Sequence, residues 1–230
     1  MKSVASATGK LVLLFAVLGA AVGCSTTEKM SATSAVLRGM VYNTSRTPVL
    51  DMKVSLIRDG RETGSVLTDI HGRYFIPEVP YGPVTLRFLK DSYEPLDWSF
   101  SFDKPTQVVY VQVSSLNELL DRAAGNIQKR QWADAASCLE RIRKMQPDNA
   151  IASYLEGEMM ARQGNPEAAA ALLEKLSTDK STYLAVELAL ADIYQNTLAQ
   201  PDKALIHLRK AALIRDDIDI ENRITTLEKQ

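Results

Sequence analysis

A serine and a lysine have the spacing of a known nucleophile, and they are the first residues that could carry out chemistry. Ser177-Thr178-Asp179-Lys180 fits Ser-x-x-Lys, a pattern in which the serine attacks an acyl group and the lysine is one candidate base. The Ser-Asp-Asn and Lys-Thr-Gly motifs that complete such a site do not occur in the sequence. Gly-x-Ser-x-Gly, Walker and dinucleotide-binding motifs are missing as well. We therefore predict that the chain is not an enzyme and that Ser177 has a capping or turn role.

Asp69 and His71 are the second pattern, because a carboxylate and an imidazole are both potential metal ligands. The chain has 2 histidines, and no third or fourth ligand stands at a recognisable spacing from this pair. The other histidine, His207, lies between apolar residues of a helical pattern, where a partly buried or interface histidine is expected. We interpret Asp69 as the acceptor for backbone amides in a turn that Gly72 closes. The sequence predicts no metal site and no cofactor.

Residues 1–23 have the three parts of an export signal. Lys2 and Lys10 precede the apolar run from Leu11 to Val22, and small residues follow it. The run is shorter than the roughly 20 apolar residues that a membrane-spanning helix needs. We therefore predict a signal peptide that is removed.

Cys24 closes the tetrapeptide Ala21-Val22-Gly23-Cys24, which resembles a bacterial lipobox with Ala21 in place of the usual leucine. The resemblance implies cleavage before Cys24 and a diacylglycerol on its sulfur, followed by an acyl chain such as palmitate on its amine. Several chains on one residue give a stable membrane anchor, since each buried methylene contributes about 0.8 kcal/mol. The alternative is a soluble secreted protein in which Cys24 has no role.

The residues after Cys24 suggest a location and a tether. In many double-membrane bacteria an aspartate after the lipidated cysteine retains the protein in the inner membrane, so Ser25 is compatible with the outer membrane, facing the periplasm. Residues 24–34 are predicted to be a lipidated N-terminus and a flexible polar tether. A net charge of -1 with no basic patch argues against a nucleic-acid partner. Cys138 lies in an apolar helical pattern and is predicted to be a core thiol.

Residues 35–113 have an apolar period of two, broken by turn residues, which is typical of an all-β sandwich. Leu96, Trp98, Phe100 and Phe102 alternate with polar residues, so we expect all four side chains on one buried face. The predicted strands are Val36 to Tyr42, Met52 to Arg58, Ser65 to Thr68, Arg73 to Ile76, Val84 to Leu89, Leu96 to Phe102 and Val108 to Val113.

Short motifs in this segment occur in the order known from one domain family. They are Gly39-Met40-Val41, Pro48-Val49, Val54-Ser55-Leu56 and Thr68-Asp69-Ile70-His71-Gly72. Together they resemble the carboxypeptidase regulatory-like, or transthyretin-like, domain; Ser92 departs from the glycine usual before the aromatic Tyr93. The resemblance implies a seven-stranded prealbumin-like β-sandwich that serves as a spacer, folding aid or binding module.

The apolar period changes to 3.6 after Ser114, and Ser115-Leu116-Asn117-Glu118 has the pattern of a helix capping box. Beyond it, small residues recur about every 34 residues, the period of tetratricopeptide (TPR) repeats. The recurring positions are Ala123, Gly157 and Ala191, and in the partner helices Ala135, Ala169 and Ala204 with Leu139, Leu173 and Leu208. One extra residue has entered before Ala204.

This pattern resembles three TPR repeats over residues 116–217, followed by a capping helix over residues 218–230. The predicted fold class is therefore multidomain, an all-β sandwich followed by an all-α solenoid of about three repeats. In this family the first helix of each repeat lines a concave groove, and the resemblance places there Asn117, Leu120, Ala124, Gln128, Tyr154, Glu158, Arg162, Leu188, Asp192, Gln195 and Asn196.

The groove and the anchor suggest a function. Leu120 and Ala124 occupy positions where the family's carboxylate-binding groove has lysine and asparagine, so a mixed groove for an extended segment or a helix is predicted. We expect a membrane-anchored scaffold or adaptor lipoprotein that binds protein partners at the bacterial envelope, with assembly of an envelope complex as the leading hypothesis. The alternative is a glycan- or peptidoglycan-binding module that uses exposed aromatics of the sandwich such as Tyr81 or Tyr93.

Overall fold

The structure is a computed structural model that describes residues 33–178 and 183–229. The signal peptide, the lipidation site Cys24 and most of the predicted tether lie outside these ranges, as does Lys180. Those expectations stay predictions. Among the described residues, no helix has both the length and the apolar character that crossing a membrane requires.

Seven strands in two sheets make up the first part of the described chain. One sheet has the order β4-β1-β7 and the other the order β3-β2-β5-β6; β1 and β7 run parallel, and the other neighbours run antiparallel. The strands are β1 (Ser34–Asn43), β2 (Lys53–Arg58), β3 (Arg61–Leu67), β4 (Arg73–Pro80), β5 (Gly82–Leu89), β6 (Leu96–Phe102) and β7 (Val108–Val113). Both sheets bury one face in a common apolar core that includes Leu37, Val41, Leu86, Phe88 and Val111.

The third strand is longer than predicted. β3 begins at Arg61 and not at Ser65, because Asp59 and Gly60 form a two-residue turn that pairs Arg58 with Arg61. Both turn residues have positive φ, 47° and 73°, which is the geometry that an Asp-Gly sequence favours in a tight hairpin. The Asp-Gly pair was the signal that the prediction overlooked.

Trp98 is not buried, contrary to the expectation for β6. The alternation along the strand is present, and Phe102 is fully buried, but Trp98 keeps 45% of its surface exposed. β6 is the edge strand of a four-stranded sheet that packs against a three-stranded one. Trp98 thus lies on a strand that has a neighbour on one side only, and part of its side chain stays uncovered.

Seven α-helices follow in the described residues. They are α1 (Leu116–Gln128), α2 (Trp132–Met145), α3 (Ala150–Arg162), α4 (Pro166–Thr178), α5 (Leu184–Asp192), α6 (Pro201–Ile214) and α7 (Ile218–Leu227). The starts of α1, α3, α5 and α7 at residues 116, 150, 184 and 218 are each 34 residues apart. A β-sandwich followed by a helical repeat structure confirms the predicted fold class.

Small residues hold the two helices of each hairpin close together. The alanines at these positions are fully buried. They are Ala123 and Ala191 in the first helices of their hairpins and Ala135, Ala169 and Ala204 in the second helices. In the α3–α4 hairpin the corresponding residue is Gly157, and a Cβ atom there would lie 2.7 Å from Cδ2 of Leu173. The helices therefore approach each other more closely at Gly157 than a side chain would allow.

The extra residue of the third repeat lies in a π-helical turn. This turn (Ile193–Thr197) continues α5, and the amide of Leu198 donates to the carbonyl of Ile193 at 2.9 Å. A π turn takes one residue more than an α turn. The insertion is absorbed within the helix, so Ala191 and Ala204 still meet in the core of their hairpin.

Polar bonds join the sandwich to the first repeat within one compact unit, Thr33–Gln230. The predicted capping box is confirmed, because Ser115 accepts from the amide of Glu118 at 3.2 Å and the Glu118 carboxylate accepts from the amide of Ser115 at 2.9 Å. Glu118 also accepts from the Thr44 hydroxyl at 2.7 Å. On the other side, Arg141 Nε donates to Glu94 at 2.9 Å. We call this set of contacts the joint.

Candidate functional site

Five of the predicted groove residues line one cavity between α1 and α3. Gln128 lies on α1, and Tyr154, Glu158 and Arg162 lie at successive turns of α3. The cavity has a volume of about 250 Å³, and Ala124, Ile127 and Leu155 complete its lining. The regular stacking of first helices brings together residues that are far apart in sequence, as the repeat pattern predicted.

Tyr154 is the centre of this cavity, and its environment is partly dehydrated. Burial raises the pKa of the Tyr154 hydroxyl, and the carboxylates of Glu158 and Asp192 raise it further, while Arg162 acts in the opposite direction. Arg162 Nε lies 3.4 Å from Glu158 Oε2, one helical turn away. Tyr154 therefore stays a neutral hydroxyl at physiological pH.

Two of the four predicted groove residues of the third repeat, Asp192 and Gln195, contact α7. Arg223 of α7 donates to Asp192 Oδ1 at 2.7 Å and to Gln195 Oε1 at 2.8 Å. Sequence reasoning missed Arg223, because α7 was treated as a cap and not as a helix that contributes to the groove. Asn196 is exposed in the π turn, whereas Leu188 is half-buried against the core of the last hairpins.

The first repeat contributes less to the groove than predicted. Asn117 is exposed at the start of α1, but Leu120 is buried in the core between the first two hairpins. Leu120 therefore offers little surface to a partner. Its burial follows from the position of α3, which packs directly beside α1.

A second pocket next to Tyr154 was missed. It is apolar, with a volume of about 230 Å³, and it is lined by Ala150, Ile151, Tyr154, Tyr183, Ala185 and Val186. The repeat spacing held the signal, since one and two periods of 34 residues from Asn117 lead to Ile151 and Ala185. Of these three positions, only Asn117 was predicted to line the groove.

Ser177 of the Ser177–Lys180 pattern is part-buried in a polar cluster between α4, α5 and α6. Ser177 donates to Glu187 Oε1 at 2.6 Å, and Lys210 donates to the Ser177 hydroxyl at 3.0 Å. His207 Nδ1 lies 2.7 Å from the other oxygen of the same carboxylate. The imidazole thus contacts the glutamate and not the serine, and the cluster gives hydrogen-bond partners to the buried side chains of Glu187 and His207.

The Asp69 turn has the structural role that the sequence suggested. Asp69 accepts from the amide of Arg73 at 2.9 Å, from the Arg73 guanidinium, and from the amide of His71 at 2.8 Å. These bonds hold the pKa of Asp69 below its usual value, and the bond from the Arg73 amide contributes most. No group of three or more metal-ligating side chains occurs among the described residues.

The two tyrosines proposed for glycan binding are not free platforms. Tyr81 and Tyr93 are half-buried against the sandwich core, and the Tyr81 ring lies 5.3 Å from that of Phe102. The well-exposed aromatic side chains of the sandwich are instead Phe75, Trp98 and Tyr110. The glycan alternative therefore loses the residues that motivated it.

A family model described as "Tetratricopeptide repeat" matches residues 120–181. The comparison with curated proteins gave no match. Among solved structures, the chain is similar to a Klebsiella pneumoniae 5-hydroxyisourate hydrolase (17% identity, 35% of this chain and 85% of that chain, TM-score 0.30). It is also similar to a Streptococcal ancillary pilin (18% identity, 36% of this chain, TM-score 0.32), of which it covers only 30%. TM-scores this low support no argument about function. The family match and the hairpin geometry agree, and the helical part of this chain is similar to a tetratricopeptide-repeat structure.

Proposed function

We propose that this protein is a non-enzymatic scaffold that binds other proteins through the groove of its repeats and is held at the bacterial envelope by lipid on Cys24. The groove assignment rests on one observation: Gln128, Tyr154, Glu158 and Arg162 line a single cavity between adjacent first helices. TPR repeats generally serve protein interactions, and this cavity offers both apolar and polar contacts. The assignment of an outer-membrane anchor facing the periplasm is supported by the lipobox resemblance and by Ser25.

Site-specific crosslinking in the native cell tests the groove. A photo-crosslinking amino acid replaces Gln128, which is exposed at the groove cavity, and in a matched variant replaces Ser137, which is exposed on α2. We expect a protein adduct from position 128, because a partner in the groove lies within reach of that side chain. Position 137 gives none, since α2 is the second helix of its hairpin and does not line the cavity.

The same adduct identifies the partner and locates it. Mass spectrometry of the crosslinked band names the protein, and a Tyr154→Ala change that removes the centre of the cavity reduces the yield of the adduct. Equal yields from positions 128 and 137 would contradict a groove-specific partner. Retention of the chain on purified cell-wall glycan, with no protein adduct, would favour the glycan alternative.

A further inference from the structure

One aromatic ring separates two pockets of different chemistry. The apolar pocket lies between the first turns of α3 and α5, and no charged residue lines it. Tyr154 forms one wall of this pocket and also lines the groove cavity, where Gln128, Glu158 and Arg162 are located. A segment that crosses Tyr154 would therefore meet an apolar site on one side and a polar site on the other.

Both carboxylates among the predicted groove residues already have a basic partner. Glu158 pairs with Arg162, and Asp192 pairs with Arg223 at 2.7 Å. A charged side chain placed beside these part-exposed pairs would gain little, because each carboxylate is already neutralised by its partner. An apolar side chain, by contrast, loses no hydrogen bonds when it enters an apolar pocket. The charges of the groove therefore favour an uncharged segment.

We infer that the partner presents an extended, uncharged segment with one bulky apolar side chain, and that this side chain fills the apolar pocket beside Tyr154. The inference rests on the proposed function, since it specifies what the groove binds. In an extended segment, residues i and i+2 point to the same face about 7 Å apart. The residue two positions from the apolar anchor lies over the groove cavity, where Gln128 and the Glu158–Arg162 pair offer polar contacts.

Selection from a library of random linear peptides displayed on phage tests this inference. The target is the protein purified from cells that express the whole chain. We expect the selected peptides to share one leucine, isoleucine, methionine or phenylalanine with uncharged neighbours. The peptides should also compete with one another, because they use the same pocket.

Two isoleucines of nearly equal exposure provide a matched pair of variants. Ile151 lines the apolar pocket and is 53% exposed, whereas Ile206 lies on α6 outside both pockets and is 54% exposed. Ile151→Asp places a carboxylate in the pocket and weakens peptide binding by about tenfold or more. The fold tolerates this change, because an acidic residue is favourable in the first turn of α3. Ile206→Asp leaves peptide binding unchanged.

Tyr183→Ser gives an independent test of the same pocket. Tyr183 stands at the N-cap of α5 and makes no capping hydrogen bond there. Serine is a preferred N-cap residue, so the change removes one wall of the pocket while stability is retained or raised. We expect peptide binding to weaken by about tenfold. Thermal melting of each variant checks that it is folded.

The outcomes separate the inference from the proposed function. Selected peptides that are rich in charge, or that share no apolar residue, refute the inference if their binding still depends on Gln128. Insensitivity of peptide binding to Ile151→Asp and Tyr183→Ser also refutes it. Peptides whose binding ignores the pocket and Gln128 alike would overturn the proposed function as well, because the groove would then bind nothing.

Discussion

Gly157 allows the close packing of the repeat helices to be tested by a single methyl group. In Gly157→Ala the new Cβ would lie 2.7 Å from Cδ2 and 2.8 Å from Cγ of Leu173, and Leu173 is fully buried. Overpacking of this kind costs about 1–3 kcal/mol, and it is offset by the roughly 0.5–1 kcal/mol that alanine gains over glycine within a helix. We therefore expect the free energy of unfolding to fall by about 1 kcal/mol.

Gly125 is the matched control, because it also lies within a helix of a repeat but has open space around it. No atom lies within 4 Å of a Cβ built at Gly125. Gly125→Ala therefore gains helix propensity without a clash, and the free energy of unfolding rises by about 0.5–1 kcal/mol. The two variants are expected to differ by about 2 kcal/mol although the chemical change is the same.

Urea unfolding followed by the helical circular-dichroism signal measures these differences. A third variant, Leu173→Ala, makes the test specific: in that background the space at Gly157 is open, and Gly157→Ala becomes stabilising. The coupling between the two sites is expected to be about 1–3 kcal/mol. Should Gly157→Ala stabilise the protein as much as Gly125→Ala does, the close approach of α3 and α4 at this position would be wrong.

Three further predictions concern buried charge, pH and the anchor. His207→Ala leaves the fully buried Glu187 carboxylate without its imidazole and lowers the free energy of unfolding by about 3 kcal/mol. Arg209→Ala removes an exposed pair with Glu228 and costs under about 1 kcal/mol. Equal losses of the two variants in thermal melting would contradict the role of the buried pair. Partial burial raises the pKa of Glu118, but hydrogen bonds from Ser115, Thr44 and Ser45 outweigh it and lower the pKa from 4.5. The carboxylate therefore stabilises the fold above that pH, and this contribution is lost as the pH falls through the lower folded pKa. Below about pH 4.5, Glu118→Gln should flatten the fall in stability measured by urea unfolding. An unchanged slope would refute this role of Glu118. Cys24→Ser should move the protein from the membrane to the soluble fraction of fractionated cells, and continued membrane association would count against lipidation.

Local patterns were sufficient for much of the fold. The capping box at Ser115 and Glu118 is read directly from residues three positions apart, and it forms as predicted. Pro166 and Pro201 begin α4 and α6 because the first turn of a helix needs no amide hydrogen from these residues. The repeat spacing likewise placed Gln128, Tyr154, Glu158 and Arg162 on one surface, since it fixes which helix faces are adjacent.

Features that depend on the partner surface were not predictable from local pattern. Trp98 is partly exposed on an edge strand, and the alternation of residues within a strand does not show that the strand lies at the edge of its sheet. Arg223 reaches Asp192 across 31 residues of sequence, and only the packing of α7 reveals the contact. Ile151 and Tyr183 form a pocket because two first turns meet, which follows from the array and not from either helix alone.

The joint has a mechanical consequence. The sandwich and the first repeat have separate apolar cores, and the bonds between the two parts include charge-assisted contacts of Glu118 with Thr44 and of Arg141 with Glu94. The backbone amide of Leu116 also donates to the carbonyl of Ser92 at 2.7 Å. Such bonds are directional and break over a short displacement, whereas an apolar core yields gradually as its buried area is exposed. A force that pulls the repeats away from the sandwich is therefore borne first by a few polar bonds. We expect the two parts to separate at this boundary without unfolding of either core.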